Sequence, residues 1–167
     1  MSKPFVAILM GSENDLSIMQ AGGDVLSQLQ IDYEIKITSA HRTPAVTQQY
    51  ISDAEARGCQ VFICGAGMAA HLAGATAAHT TRPVIGVPID AGPLNGFDAL
   101  LSTVQMPAGI PVATVAIGKA GAKNAAFLAA QMMSLADPEL GVRIKEERQA
   151  NSEKVQSQDK ALQDSRK

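Results

Sequence analysis

His41 and Arg42 stand side by side in Ser39-Ala40-His41-Arg42-Thr43-Pro44. An imidazole titrates near neutrality, and a guanidinium is a permanent cation whose planar fork fits a phosphate. The pair therefore points to proton transfer beside an anchored phosphate ester. Two other segments offer complementary groups. Gly11-Ser12-Glu13-Asn14-Asp15 provides a hydroxyl to donate to a phosphate or ribose and a carboxylate to accept from ribose hydroxyls. Gly65-Ala66-Gly67-Met68-Ala69-Ala70-His71 provides backbone amides and a second imidazole. Each has a plainer reading beside the functional one. Ser12 and Asp15 also suit a helix start, where the dipole favours a carboxylate. Arg42 also suits a solvated ion pair, and His71 a core hydrogen bond. His79, near a helix end, reads as structural or as a subunit contact.

Several chemistries are disfavoured by the same residues. The first segment lacks the second glycine and the Lys-Ser/Thr pair of a triphosphate cradle. The third matches the looser Gly-x-Gly-x-x-Ala dinucleotide pattern, with Asp90 25 residues beyond Gly65. It falls in the third strand-helix unit rather than the first, however, so a dinucleotide module stays the distant alternative. Cys59 and Cys64 have no third cysteine and no histidine at ligand spacing, which supports neither a disulfide framework nor a metal site.

Short apolar runs with glycine or proline punctuation alternate with helical patterns, the signature of a parallel α/β sheet. Strands are predicted at 5–10, 33–38, 61–64, 84–87 and 112–117, the second alternating enough to be an edge. Helices are predicted at about 15–29, 44–57, 69–79, 96–104 and 121–135. Thr43 and Pro44 should open the second of these and Gly58 close it. In such sheets ligands bind outside the carboxyl ends of the strands. With strand order 2-1-3-4-5, all three chemistry-bearing segments would rim one crevice.

The charge distribution divides the chain. Of 30 charged residues, 14 lie in 137–167, which predicts a charged helix to about Ser157 that then frays; the remaining 16 serve 1–136, the α/β nucleotide-binding body. A body so poor in charge and rich in alanine is expected to meet other subunits, although tightly packed helices would also use the alanines. The net charge of -2 gives no basic field for nucleic acid. No apolar run is long enough for a membrane span, and the N-terminal run stops at Gly11, so neither a leader nor a membrane is expected and the cytoplasm is the default compartment.

The His41 segment, the glycine-rich segment through Leu72, and Ala116-Ile117-Gly118-Lys119-Ala120-Gly121-Ala122-Lys123-Asn124-Ala125-Ala126 resemble the N5-carboxyaminoimidazole ribonucleotide mutase family of purine biosynthesis. Gln105-Met106-Pro107 and the turn Gly109 to Pro111 fit as well, and the resemblance extends from about Phe5 to Leu135. It implies a flavodoxin-like three-layer sandwich with a five-stranded parallel sheet and a C-terminal helical extension, assembled as an octamer that works without cofactor or metal. It further implies that His41 is the general acid/base, that Ser12, Asp15 and Arg42 bind the nucleotide, and that Ser39 assists at the phosphate. Gly65, Ala66, Gly67 and His71 are expected to line the substrate site. Asn14 stands where many members have Ser, and Met68 and Ala73 where many have Gly and Pro.

The implied chemistry suits these residue types. A carbamate loses CO2 once its nitrogen is protonated, and the enamine-like ring carbon left behind captures CO2. One imidazole can give the first proton and later take one from carbon, and an Ala- and Gly-lined pocket can exclude water. The sister reaction, direct carboxylation of the aminoimidazole ribonucleotide by CO2, is the nearer alternative; that branch tends to carry Lys after the histidine, where this chain has Arg42.

Overall fold

Every side chain of β1 (Phe5–Met10) is buried, and successive residues enter opposite cores. Val6, Ile8 and Met10 join one with Val61, Ile63, Ile85 and Val87, whereas Phe5, Ala7 and Leu9 join another with Phe62, Cys64 and Val84. A sheet dry on both faces needs helices on both. The computed structural model, which describes residues 3–166, has that arrangement. Met1 and Ser2, which begin the N-terminal stretch, and Lys167, which ends the charged tail, lie outside the described residues.

β1, β2 (Asp32–Ile37), β3 (Cys59–Gly67), β4 (Val84–Ile89) and β5 (Ala113–Thr114) form one parallel sheet in the order β2-β1-β3-β4-β5. This is the flavodoxin-like sandwich expected from the sequence, with β2 on an edge. α1 (Leu16–Gln28) and α5 (Gly118–Met133) supply Met19, Leu26, Ala122 and Ala126 to one core. α2 (Pro44–Ala56) and α3 (Leu72–Ala77) supply Ile51, Ala54, Leu72 and Ala73 to the other. α4 (Phe97–Val104) covers the same face, its Thr103 lying over Gly86.

Some boundaries differ from those predicted. β3 is longer than 61–64, because β1 pairs with its first part and β4 pairs on through Gly67. α3 starts at Leu72 rather than Ala69, since the His71 amide donates to the Ala69 carbonyl only two residues back, a tight turn in place of a helical bond. β5 shrinks from 112–117 to two residues, the extent of its pairing with Ile85 and Gly86. α5 begins at Gly118 rather than at 121.

The tail forms α6 (Pro138–Asp164). Asp137 caps it by accepting from the Leu140 amide at 3.1 Å, and Leu140 and Ile144 are buried in the core that α5 lines. The helix runs beyond Ser157 instead of fraying there. Side-chain bonds four residues apart, Gln149 to Glu153, Gln156 to Ser152 and Gln163 to Asp159, support its outer turns.

The buried face of α5 is Ala122, Ala125, Ala126, Ala129 and Ala130, all fully enclosed, so much of the alanine content is spent on close packing within the chain. Gly121 lies tighter still: a Cβ there would fall 1.6 Å from the Ala116 carbonyl oxygen. Gly121→Ala must move backbone, and overpacking of this kind costs about 3 kcal/mol. Urea denaturation should show a loss of that size for Gly121→Ala and little change for Lys123→Ala on the exposed face.

Candidate active site

The chain leaves β1 toward β2 and must return across β1 to reach β3. The carboxyl ends of these three strands therefore lie together while their loops diverge, the position at which open parallel sheets bind ligands. A cleft of about 460 Å³ opens there, a size suited to one mononucleotide. Ser12 and Asp15 reach it from the β1 loop, Ser39, His41 and Arg42 from the β2 loop, and Ala66, Gly67 and His71 from the β3 loop.

Gly65 does not line the cleft. It is buried, and a Cβ on it would meet the Met19 sulfur at 2.3 Å. Gly67 likewise leaves room for Ala91, whose Cβ would lie 2.6 Å from an added one. Close packing thus accounts for both glycines of the dinucleotide-like pattern, and Asp90 is not among the lining residues.

A hydroxyl network sets the β2 loop. The Thr38 amide donates to the Met10 carbonyl at 2.8 Å and extends the β1–β2 ladder by one rung. The buried hydroxyls of Thr38 and Thr47 lie 2.6 Å apart, with Thr43 Oγ1 3.3 Å from Thr38. Thr43 occupies the N-cap position of α2 but does not cap with its side chain; its hydroxyl accepts from the Ser39 amide at 2.9 Å and so closes the turn. Ser39 Oγ accepts from the Arg42 amide at 3.1 Å, and the Arg42 guanidinium donates to the Gly11 carbonyl at 2.8 Å, which ties the β1 and β2 loops together. Thr38 and Thr47 carried no chemical signal in the sequence; a threonine repeated around His41-Arg42 was the only trace of them.

His41 and His71 arrive from different strands yet touch. His41 Nε2 and His71 Nδ1 are 2.7 Å apart, with the rings edge to face at 83°. One ring donates and the other accepts, which puts two imidazoles in direct contact within the cleft. Both residues are exposed.

Comparison with known proteins identifies the family. The family model described as AIR carboxylase matches residues 5–154. The chain belongs to that family. It is 52% identical over 153 residues to the N5-carboxyaminoimidazole ribonucleotide mutase of Bacillus subtilis, covering 92% of this chain and 94% of that one. It is 49% identical over 150 residues to the enzyme of the same name from Escherichia coli, covering 90% and 89%. The crystal structure of Treponema denticola PurE superposes with a TM-score of 0.86 at 32% identity, over 96% of this chain and 99% of that one.

In this member of the AIR carboxylase family the cleft is polar at one end and apolar at the other. Ser12, Asp15, Ser39 and Arg42 gather on the β1–β2 side, whereas Ala66, Met68, Ala69 and Ala91 form the β3–β4 side. A larger groove of about 990 Å³ opens at the opposite ends of β4 and β5, near Arg82 and Pro111. It also holds His79 and Glu55, but Glu55 is already engaged by Arg82 and Thr80, whereas the smaller cleft sets two imidazoles in direct contact beside Arg42 and is the better site for chemistry.

Asp15 is buried, and desolvation pushes its carboxyl above the usual carboxylate range, opposed by a backbone hydrogen bond from Ser12. A raised carboxyl binds its proton more tightly in the folded state, so its ionisation costs stability as pH rises through the carboxylate range. Asp15→Asn should therefore be at least as stable as the native protein at neutral pH and lose that advantage in acid, as read from urea midpoints across pH. Thr47→Val removes the 2.6 Å partner of the buried Thr38 hydroxyl, leaving it only the longer contact to Thr43, and should cost about 1–3 kcal/mol. Turnover should fall with it as the His41–Arg42 loop loosens.

Proposed function

We propose that this chain converts N5-carboxyaminoimidazole ribonucleotide to 4-carboxy-5-aminoimidazole ribonucleotide in purine biosynthesis, without a cofactor. The observation that carries this is the graded cleft with an imidazole pair at its junction. Ser12, Arg42 and Ser39 hold the phosphate, and Asp15 accepts from the ribose hydroxyls. The flat base then extends over His41 toward the alanine-lined end, beside Ala66, Gly67 and His71.

In this reading the carbamate nitrogen takes the place on His41 Nε2 that His71 occupies in the free protein. His41 protonates that nitrogen as the C–N bond breaks, and CO2 is released with the electron pair left on nitrogen. The ring carbon uses its enamine electron pair to bond the CO2 carbon. His41 then removes that carbon's proton, which restores aromaticity and resets the imidazole. The sequence is redox-neutral and needs no electron carrier. Direct carboxylation would use the same second half; the mutase names of the relatives at 48–55% identity favour the carbamate as substrate.

The working unit in this reading is an octamer, supported by the family resemblance and by an uncovered apolar face. Leu94, Phe97, Leu101 and Val104, on and just before α4, stand about half exposed or more. Residues 1–136 form the catalytic body and 137–167 the charged extension. The cytoplasm is its compartment, matching a soluble phosphorylated substrate.

His41→Asn keeps size and some hydrogen bonding but cannot carry the proton. Turnover should fall about a hundredfold to ten-thousandfold while nucleotide binding persists; near-native turnover would contradict the assignment. Arg42→Ala should weaken the phosphorylated substrate by about 1.5–3 kcal/mol and leave a phosphate-free nucleoside indifferent. Light scattering should report a mass near eight chains, and a stable monomer at micromolar concentration would contradict the octamer.

A further inference from the structure

His41 sits at the apex of the loop from Ser39 to Thr43, and among the described residues neither its amide nor its carbonyl makes a hydrogen bond. Its place is therefore set by what joins the two ends of the loop. The Thr43 amide donates to the Ser39 carbonyl at 2.9 Å. The Thr43 hydroxyl adds a second tie: it accepts from the Ser39 amide at 2.9 Å, and its own proton faces the Ser39 carbonyl at 3.2 Å. A threonine at a helix N-cap ordinarily turns its oxygen forward onto the amides of the first turn. Thr43, at the head of α2, makes no such bond and reaches back to Ser39 instead. Thr43 is also exposed and belongs to neither core, and the buried Thr38 hydroxyl has its nearer partner in Thr47 at 2.6 Å. Burial thus does not account for where the Thr43 hydroxyl points; closing the loop under His41 does.

We infer that Thr43 is a positioning residue for proton transfer: its hydroxyl gives up helix capping to hold the His41 imidazole where it meets first the carbamate nitrogen and then the ring carbon. The inference rests on the mutase reading above. One imidazole must serve two substrate atoms in turn, and a misplacement of about 1 Å at a reacting group can cost about a hundredfold in rate. Arg42 is held independently, by its amide on Ser39 Oγ and its guanidinium on the Gly11 carbonyl. Loss of the Thr43 hydroxyl therefore loosens the acid/base while the phosphate stays anchored.

The test measures kcat and KM separately on the carbamate nucleotide, beside urea midpoints, for Thr43→Val and Thr43→Ala, which lack the hydroxyl, and for Thr43→Ser, which keeps it. Thr43→Val and Thr43→Ala should lower kcat about ten- to a hundredfold, with KM within about threefold of the native value and urea midpoints close to native. Thr43→Ser should recover most of kcat. Native kcat without the hydroxyl, or a Thr43→Ser variant as slow as Thr43→Val, would overturn the inference and leave the mutase reading intact. A loss of activity that tracks the urea midpoint, or one carried by KM alone, would overturn it as well, because the hydroxyl would then serve only stability or phosphate binding. A native protein that converts none of the carbamate would overturn both.

Discussion

Parallel pairing of β1 with β2 on one side and β3 on the other is the constraint on which the rest depends. It puts the ends of three strands within reach of one small molecule and sends their loops apart, so a cleft forms without any loop having to be long. Side chains 30 residues apart, His41 and His71, meet there at hydrogen-bond distance. The pairing is secured by β1 itself, whose alternate residues are anchored in separate cores; a slip of one position would exchange the two sets.

From that frame outward, each level positions the next. The last rung between β1 and β2 places Thr38, the buried Thr38–Thr47 pair fixes the start of α2, and the Ser39–Thr43 turn presents His41 and Arg42. Arg42 is itself tied to the β1 loop through Gly11. The groups that would hold a sugar phosphate are therefore preorganised by backbone contacts, while the opposite end of the cleft is left to methyl groups and Met68. Such a division suits a reaction in which one end of the substrate stays fixed and a small neutral fragment moves at the other.

Much of this was legible in the sequence because fully buried parallel strands read as unbroken apolar runs and because glycine and proline mark their ends. The runs mark the strands but not their order; the order 2-1-3-4-5, a supposition in the sequence in keeping with the flavodoxin-like resemblance, is what gathers Ser12, Asp15, Ser39, His41, Arg42 and His71. Gly65 was different: its type fits equally a ligand-facing turn and a packing contact, and only the position of Met19 decides for packing. β5 was overestimated, since an apolar run does not reveal how much of it finds a pairing partner. The outer turns of α6 were underestimated, because polar composition conceals the side-chain bonds four residues apart that sustain them. The threonine network was invisible for a further reason: hydroxyls acquire a role only when folding places them together.

In the proposed reaction the carboxyl group leaves nitrogen and reaches carbon within one site. Incubating the purified protein with the carbamate nucleotide under continuous CO2 scavenging, and following the carboxylated imidazole by its ultraviolet absorbance, tests it most directly. Nearly complete conversion is the predicted result. Strict dependence on added bicarbonate would contradict it and make the protein a direct carboxylase.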